Sequence, residues 1–357
     1  MKKMWALAFV AFATFMMTAC TSSDLIIYMP KEYIADGIVQ AFEEEYGIKV
    51  DLRTFDSNEI ALTQARISRY DLIIPSDYAI EEFADAGLIQ ELDWDKIEFD
   101  PADFSEALVD TLAELEEAGF DLLKYAMPYF WGTIGLIYDN TKEGLAEQLE
   151  EEGWGILADQ SLTKMIYDSP RDAFMAALYA QDPVVYMSDA TQSDVEAARD
   201  WLISTKGTNT VLLSDEILDQ AIGGNVPYDI AMVYSGDAVY ILQETDDYSF
   251  FIPEYSNVWV DGMVIPKNAV NVDMAYNFIN FISSYEVSLE NTWGMGYSPV
   301  RQDVLDELMA DEEFNWDDER IGYAFALDTT LFSYEFYRFN NELKKWIDDS
   351  YDEFYYA

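Results

Sequence analysis

The chain has 357 residues, half of them hydrophobic, and sets 69 acidic side chains against 20 basic ones, for a formal net charge of −49 at pH 7. Such a charge repels nucleic acid and anionic membrane surfaces and attracts cations, and it also keeps an exposed protein soluble. There is no histidine and a single cysteine, Cys20, which removes Ser/His and Cys/His catalysis, the usual zinc sites and any intramolecular disulfide.

Met1-Lys2-Lys3, an apolar run from Met4 to Met17, and the small residues Thr18 and Ala19 form a secretion signal, too short to span a bilayer comfortably. Met17-Thr18-Ala19-Cys20 resembles a bacterial lipobox, in which the cysteine is lipidated and becomes the mature N-terminus. An ordinary cleavable signal beside an incidental cysteine is the alternative. Residues 1–19 are thus the expected signal peptide and 20–24 a lipidated tether, and the remainder is long enough for two domains.

Leu25-Ile26-Ile27-Tyr28 predicts a strand, and Ile34, Ile38, Val39, Phe42 and Tyr46 a helix that Gly47 ends. Lys49 to Phe55 is a second strand, with Asp56 and Ser57 capping a helix to about Ser68. The apolar run Tyr70 to Pro75 suits a strand buried on both faces. Ser76 and Asp77 then cap a helix to Ala86, with Gly87 as its stop. This β-α-β-α-β-α order predicts an α/β fold with a parallel, doubly wound sheet, in which ligands bind at the carboxyl ends of the strands. An acidic helix from Ser105 to Ala118 leads to the aromatic stretch Tyr125 to Gly132, with a domain crossing expected near Met127.

The pattern then restarts: strand Ile134 to Tyr138, helix Leu145 to Glu152, strand Thr163 to Tyr167, a helix opened by Pro170, helix Asp194 to Ser204, and strand Ile230 to Tyr234 before a turn at Ser235-Gly236-Asp237. Val258 to Pro266 is a strand returning to the first domain, followed by helices Asp273 to Ser283 and Tyr285 to Trp293, a turn at Gly296 to Pro299, and acidic helices. Gly153-Trp154-Gly155 and Gly294-Met295-Gly296 lack the third glycine and the lysine of a phosphate loop.

Trp259-Val260-Asp261 places an indole and a carboxylate on one strand face, where a cation gains π attraction and a charge-assisted hydrogen bond together. A core tryptophan beside a turn aspartate fits the same residues. Asp168 and Asp172 bracket a helix start, where a capping role competes with a binding one and Arg171 can neutralise either. Glu32 and Tyr33 after the first strand carry the same two readings. Tyr78, Tyr234 and Tyr297 lie at inferred strand ends or turns, where packing and ligand contact both suit an amphipathic ring.

Tyr28 to Tyr33, Phe42 to Val50, Ser57-Asn58-Glu59, Tyr70 to Tyr78, Met127 to Gly132, Asp168 to Phe174, Met232 to Gly236, Trp259 to Pro266 and Gly296-Tyr297 occur in an order and spacing that resembles the polyamine-binding (spermidine/putrescine) lipoproteins of bacterial ABC importers, over essentially the whole mature length. The resemblance implies a two-lobed periplasmic-binding-protein fold of the class II type with the ligand cleft between lobes. Lobe 1 would comprise 25–127 and 259–305 and lobe 2 128–258, with 306–357 as C-terminal helices packing across both. It implies carboxylates Glu32, Asp172 and Asp261 on the ammonium groups, with Asp168 standing in where Ser169 replaces an acid. The aromatic walls would be Tyr33, Tyr78, Tyr234, Trp259 and Tyr297, with Ser76 and Ser214 as polar contacts. Pro30 and Lys31 depart from the family at the cleft mouth, where an aromatic and a small hydroxyl residue are usual. No enzyme activity, cofactor or metal is implied. The expected partners are a polyamine, an ABC permease and, through Cys20, the membrane, for a monomer held outside the cytoplasm.

Two further readings stand beside this one. The same fold serves receptors for sugars or for ferric iron held by tyrosines and carboxylates, although the matched tyrosines are spread and Tyr355-Tyr356 is the adjacent pair. A carboxylate-pair glycosidase also needs neither histidine nor cysteine.

Overall fold

The structure, a computed structural model, describes residues 24–214, 216–310 and 318–357; the expected leader and Cys20 lie outside them. β1 (Leu25–Pro30) is buried almost throughout. Its helix Ile38–Tyr46 turns Ile38 and Phe42 inward and ends at Gly47, whose φ of +66° suits a residue without Cβ. β2 (Val50–Phe55) runs parallel to β1 at the sheet edge. The following helix Asn58–Ile67 is capped by Ser57, whose Oγ accepts from the Ile60 amide at 3.3 Å. β3 (Leu72–Ile73) lies on the other side of β1, again parallel, and leads into helix Asp77–Asp85.

After helix Glu106–Glu117, β4 (Ala126–Gly132) completes the outgoing chain. A second sheet is built by β5 (Ile134–Asp139), β6 (Lys164–Tyr167), β7 (Thr210–Leu213), β8 (Ile230–Tyr234) and β9 (Tyr248–Phe251). The chain returns through β10 (Tyr255–Asn257) to β11 (Trp259–Val264) and β12 (Ser298–Pro299). The first sheet has the order β12-β4-β11-β3-β1-β2 and the second β7-β6-β8-β5-β9, each flanked by helices, so the α/β class and the two lobes are as expected.

Three expectations change. The first sheet is parallel only over β1, β2 and β3; β11 is antiparallel to both β3 and β4, because it enters from the second lobe and so from the opposite end. The chain leaves the first sheet at Thr133 rather than near Met127, since Pro128 and Phe130 to Gly132 still pair with β11 or β12. Ser235-Gly236-Asp237 is no turn but the first turn of helix Ser235–Glu244.

The two crossing strands hold one another. Thr133 Oγ1 donates to the Asn257 carbonyl at 2.6 Å, the Ile134 amide donates to Asn257 Oδ1 at 3.3 Å, and Ser256 Oγ donates to the Ile134 carbonyl at 2.7 Å. All three side chains are buried, where such groups need partners.

Helix Gln302–Met309 stays with helix Tyr285–Met295 of the first lobe. By contrast, helix Glu319–Phe325 packs on helix Ser235–Glu244, and Asn341–Tyr356 on helices Pro170–Tyr179 and Gln192–Thr205, all of the second lobe. Between them β13 (Ser333–Glu335) pairs with β10. The C-terminal segment reaches lobe 1 through side chains. Arg338 grips Glu81 with two bonds, Nη2 to Oε1 at 2.6 Å and Nε to Oε2 at 3.0 Å, and Lys344 meets Glu59 at 3.1 Å. A bidentate, half-buried pair is stronger than a solvated one. Glu81→Ala is expected to lower unfolding stability by about 2 kcal/mol, read as a fall in the urea midpoint.

Candidate ligand-binding cleft

Tyr33 follows β1 in a turn that lobe 1 supports from beneath. Tyr129 Oη donates to the Tyr33 carbonyl at 2.7 Å, Asn291 Nδ2 donates to Tyr129 Oη at 2.8 Å, and Asn291 Oδ1 accepts from the Ala35 amide at 2.9 Å. With its backbone so held, the Tyr33 ring is buried and its hydroxyl donates to Asp261 Oδ2 at 2.7 Å. Asp261 pairs with Phe130 beside a bulge in β4, where Tyr129 is the extra residue, just before the Gly262 amide bonds to the Pro75 carbonyl at 3.0 Å; such bulges re-aim a side chain, here that of Tyr129. Burial pushes the Asp261 carboxyl up to about 6, against the pull of the Ser76 and Tyr33 hydroxyls. Its Oδ1 has no hydrogen-bond partner among the described residues.

Trp259 shares a strand face with Asp261. Its ring meets Tyr297 edge-on at 5.6 Å and Tyr234 at 5.8 Å, while Tyr297 meets Tyr33 at 5.5 Å. At the other end Tyr234 Oη donates to Asp172 Oδ2 at 2.8 Å. A continuous aromatic wall therefore links two buried carboxylates from different lobes. Asp172 lies in the first turn of helix Pro170–Tyr179, which Ser169 caps. Burial raises its carboxyl above the usual range although Ser169, Tyr234, Tyr337 and Arg171 all favour the ion.

The lobes touch across this wall. Tyr297 Oη, from lobe 1, donates to Asp237 Oδ1 of lobe 2 at 2.7 Å. The Tyr297 ring lies so close to Gly236 that a Cβ there would fall 2.4 Å from it. Tyr78 of lobe 1 carries the Arg171 guanidinium of lobe 2 at 3.8 Å above its ring.

Other expected residues lie elsewhere or serve the fold. Glu32 is exposed, in a turn at φ +53°, because the helix does not begin until Ile38. Asp168 accepts from the Tyr351 hydroxyl and so anchors the C-terminal helix. Ser76 is tied to Asn58, accepting at Oγ from Nδ2 and donating its amide to Oδ1, both at 3.1 Å. Ser214, at the end of β7, donates its amide to Glu216. Lys31 is solvent-exposed and Pro30 half-buried.

Two residues that sequence reasoning missed also line this region. Tyr337, from the C-terminal crossing segment, donates to Asp172 Oδ1 at 2.9 Å. Asp77 is buried, accepts from the amides of Tyr78 at 2.6 Å and Val260 at 3.3 Å, and is pushed up to about 8 by burial and by the nearby Asp261 charge. No local signal marks Tyr337. The Ser76-Asp77 pair was legible only as a helix start.

Two α/β lobes hinged by paired strands and closed on an aromatic, carboxylate-ended cleft define a solute receptor. The comparisons with known proteins agree with that class. The chain belongs to the family of bacterial extracellular solute-binding proteins, whose model matches residues 37–319. It is 28% identical over 310 residues, 82% of each chain, to a putrescine-binding periplasmic protein of Pseudomonas aeruginosa. With the spermidine/putrescine-binding periplasmic protein of Escherichia coli it shares 26% over 301 residues, again 82% of each. Among solved structures, a putative spermidine/putrescine ABC transporter protein from Listeria monocytogenes is similar at 30% identity and a TM-score of 0.74, covering 93% of this chain and 98% of that one.

Proposed function

We propose that this chain is the extracytoplasmic binding component of an ABC importer, capturing a polyamine between its lobes and delivering it to a permease without catalysing a reaction. One observation carries the reading: the wall of Tyr33, Tyr297, Trp259 and Tyr234 that runs from Asp261 to Asp172. A methylene chain between charged ends needs apolar contact along its length and a carboxylate at each end to offset desolvation. In this reading Asp261 and Asp172 hold ammonium groups, the four rings box the chain, and Tyr78 and Ser76 border it. The names of the relatives support the ligand class. In this reading the chain before Thr133 and from Trp259 to Met309 moves as one body, and the chain between, with the C-terminal helices Glu319–Phe325 and Asn341–Tyr356 packed on it, as the other, with closure by bending at the paired crossings.

Calorimetric titration of the full-length chain in detergent with putrescine, spermidine and spermine, with maltose as control, tests the reading. Saturable binding of a polyamine is expected. Heat with maltose alone would favour a sugar receptor, and no heat with any polyamine would overturn the proposal.

We further propose that Cys20 is lipidated and anchors the protein to the membrane as a monomer. Cys20→Ser is expected to move most of the protein from the membrane fraction to the soluble one, as seen by immunoblotting of fractionated cells. Unchanged membrane association would exclude the anchor.

A further inference from the structure

β11 loses one of its two neighbours partway along. β3 pairs with it at Ile73, opposite Val264, and the chain then turns away into helix Asp77–Asp85. In the same antiparallel register Ser76 bridges Asp261, which sets Asp77 opposite Val260. Pro75 still supplies one rung, its carbonyl accepting from the Gly262 amide at 3.0 Å. The next rung would need a strand carbonyl at Asp77, which the helix has turned aside. The Asp77 carboxyl takes its place: Oδ2 accepts from the Val260 amide at 3.3 Å, while Oδ1 accepts from the Tyr78 amide at 2.6 Å. A helix start needs only the second of these bonds. The first leaves the helix and ends on the strand that carries Asp261. Burial and the Asp261 charge both work against an acid at this point, a cost that starting a helix does not require. At 2% exposure, with both oxygens engaged, Asp77 does not reach a ligand itself.

We propose that Asp77 is a positioning residue for ligand capture: its carboxyl holds the Val260 amide, as Pro75 holds that of Gly262, and so fixes the segment that aims Asp261 into the cleft against the Tyr33 hydroxyl. The inference rests on the polyamine reading above, with Asp261 as the partner of one ammonium group. A binding group must be held to within about 0.5 Å by the residues behind it. Without Asp77 the buried Val260 amide has no acceptor and gains one only by moving. On the far edge of the strand, Trp131 and Phe130 of β4 still pair with Val260 and Asp261. The expected defect is therefore a misplaced Asp261 carboxyl in an intact sheet.

The test is a double-mutant cycle on the full-length chain in detergent. Putrescine and spermidine are titrated calorimetrically into the wild type, Asp77→Ala, Asp77→Asn, Asp261→Asn and the chain carrying Asp77→Ala with Asp261→Asn, and thermal melts report whether each is folded. Asp77→Ala is expected to weaken binding at least tenfold. Asp77→Asn, which keeps a carbonyl oxygen for Val260, is expected to stay within threefold of the wild type. In the Asp261→Asn background Asp77→Ala is expected to cost no more than a further twofold, because no carboxylate is left to position. Wild-type affinity in a folded Asp77→Ala chain overturns the inference. So does an asparagine variant as weak as the alanine one, or a full tenfold loss repeated in the Asp261→Asn background, which would give Asp77 a role independent of Asp261. If Asp77→Ala does not fold, Asp77→Ser takes its place with the same expected and overturning results, since serine suits a helix start but is one bond too short for Val260. Each of these overturning results leaves the polyamine reading standing. Binding of neither polyamine by the wild type defeats that reading, and this inference with it.

Discussion

Asp261→Asn is expected to weaken polyamine binding by roughly two to three orders of magnitude, because it leaves a desolvated ammonium without its carboxylate. The same change is expected to stabilise the unliganded chain at pH 7. The folded-state value of Asp261, about 6, lies above the ordinary carboxylate value of 3.8, so the fold prefers the neutral acid. The stability this preference contributes is fully present below the ordinary value and is lost as pH rises through 6. At pH 7 the free protein has therefore forgone on the order of 3 kcal/mol that the neutral asparagine retains. Binding runs the other way. A cation needs the ionised carboxylate, so affinity is expected to fall by up to about tenfold per pH unit below 6. Titrations from pH 5 to 8 and thermal melts of both chains check these outcomes. An Asp261→Asn chain with wild-type affinity would remove Asp261 from the site. Asp77, pushed from 3.8 up to about 8, adds a further loss of stability by the same sign, spread over the rise from about pH 4 to about pH 8.

Gly236→Ala addresses closure rather than charge. Gly236 lies in a helix where alanine is at least as favourable as glycine, so the open lobe has no reason to lose stability. In the closed arrangement the new methyl group would fall 2.4 Å from the Tyr297 ring of the other lobe. Affinity is expected to drop by roughly 5- to 150-fold, the equivalent of overpacking by about 1–3 kcal/mol, with the melting temperature of the unliganded chain unchanged within a degree or two. Small-angle scattering with saturating ligand is expected to show less compaction than the wild type. Normal affinity in this variant would mean that the Tyr297–Gly236 contact does not form when ligand is bound. The test separates lobe closure from lobe folding, which a cleft mutation alone does not.

Much of the architecture was legible because local physics decides it. The apolar runs Leu25 to Tyr28 and Ile230 to Tyr234 are strands since nothing in them suits water, and Ser57, Ser169 and Gly47 sit at helix ends where their own chemistry places them. Short strands such as Thr210–Leu213 and Tyr248–Phe251 escaped, because four residues offer no period to read and their partners supply the hydrogen bonds. The pairing of Trp259 with Asp261 was visible as two residues on one strand face.

By itself, then, the sequence settled the α/β class, the two sheets, the absence of any histidine and of any cysteine after Cys20, and the residue types available to a cation. It could not settle which of several acids face the cleft. Asp168 and Asp172 are both acids at one helix start, yet one accepts from Tyr351 and the other from Tyr234 and Tyr337. Glu32 adjoins Tyr33, yet a turn at φ +53° leaves it in solvent while its neighbour is buried. Arg171 and Tyr78 are 93 residues apart in the chain and stack across the two lobes. Burial, pairing and direction at these positions depend on how the return strand and the C-terminal segment bring the lobes together, and contacts between residues so far apart in the chain leave no local periodicity to read.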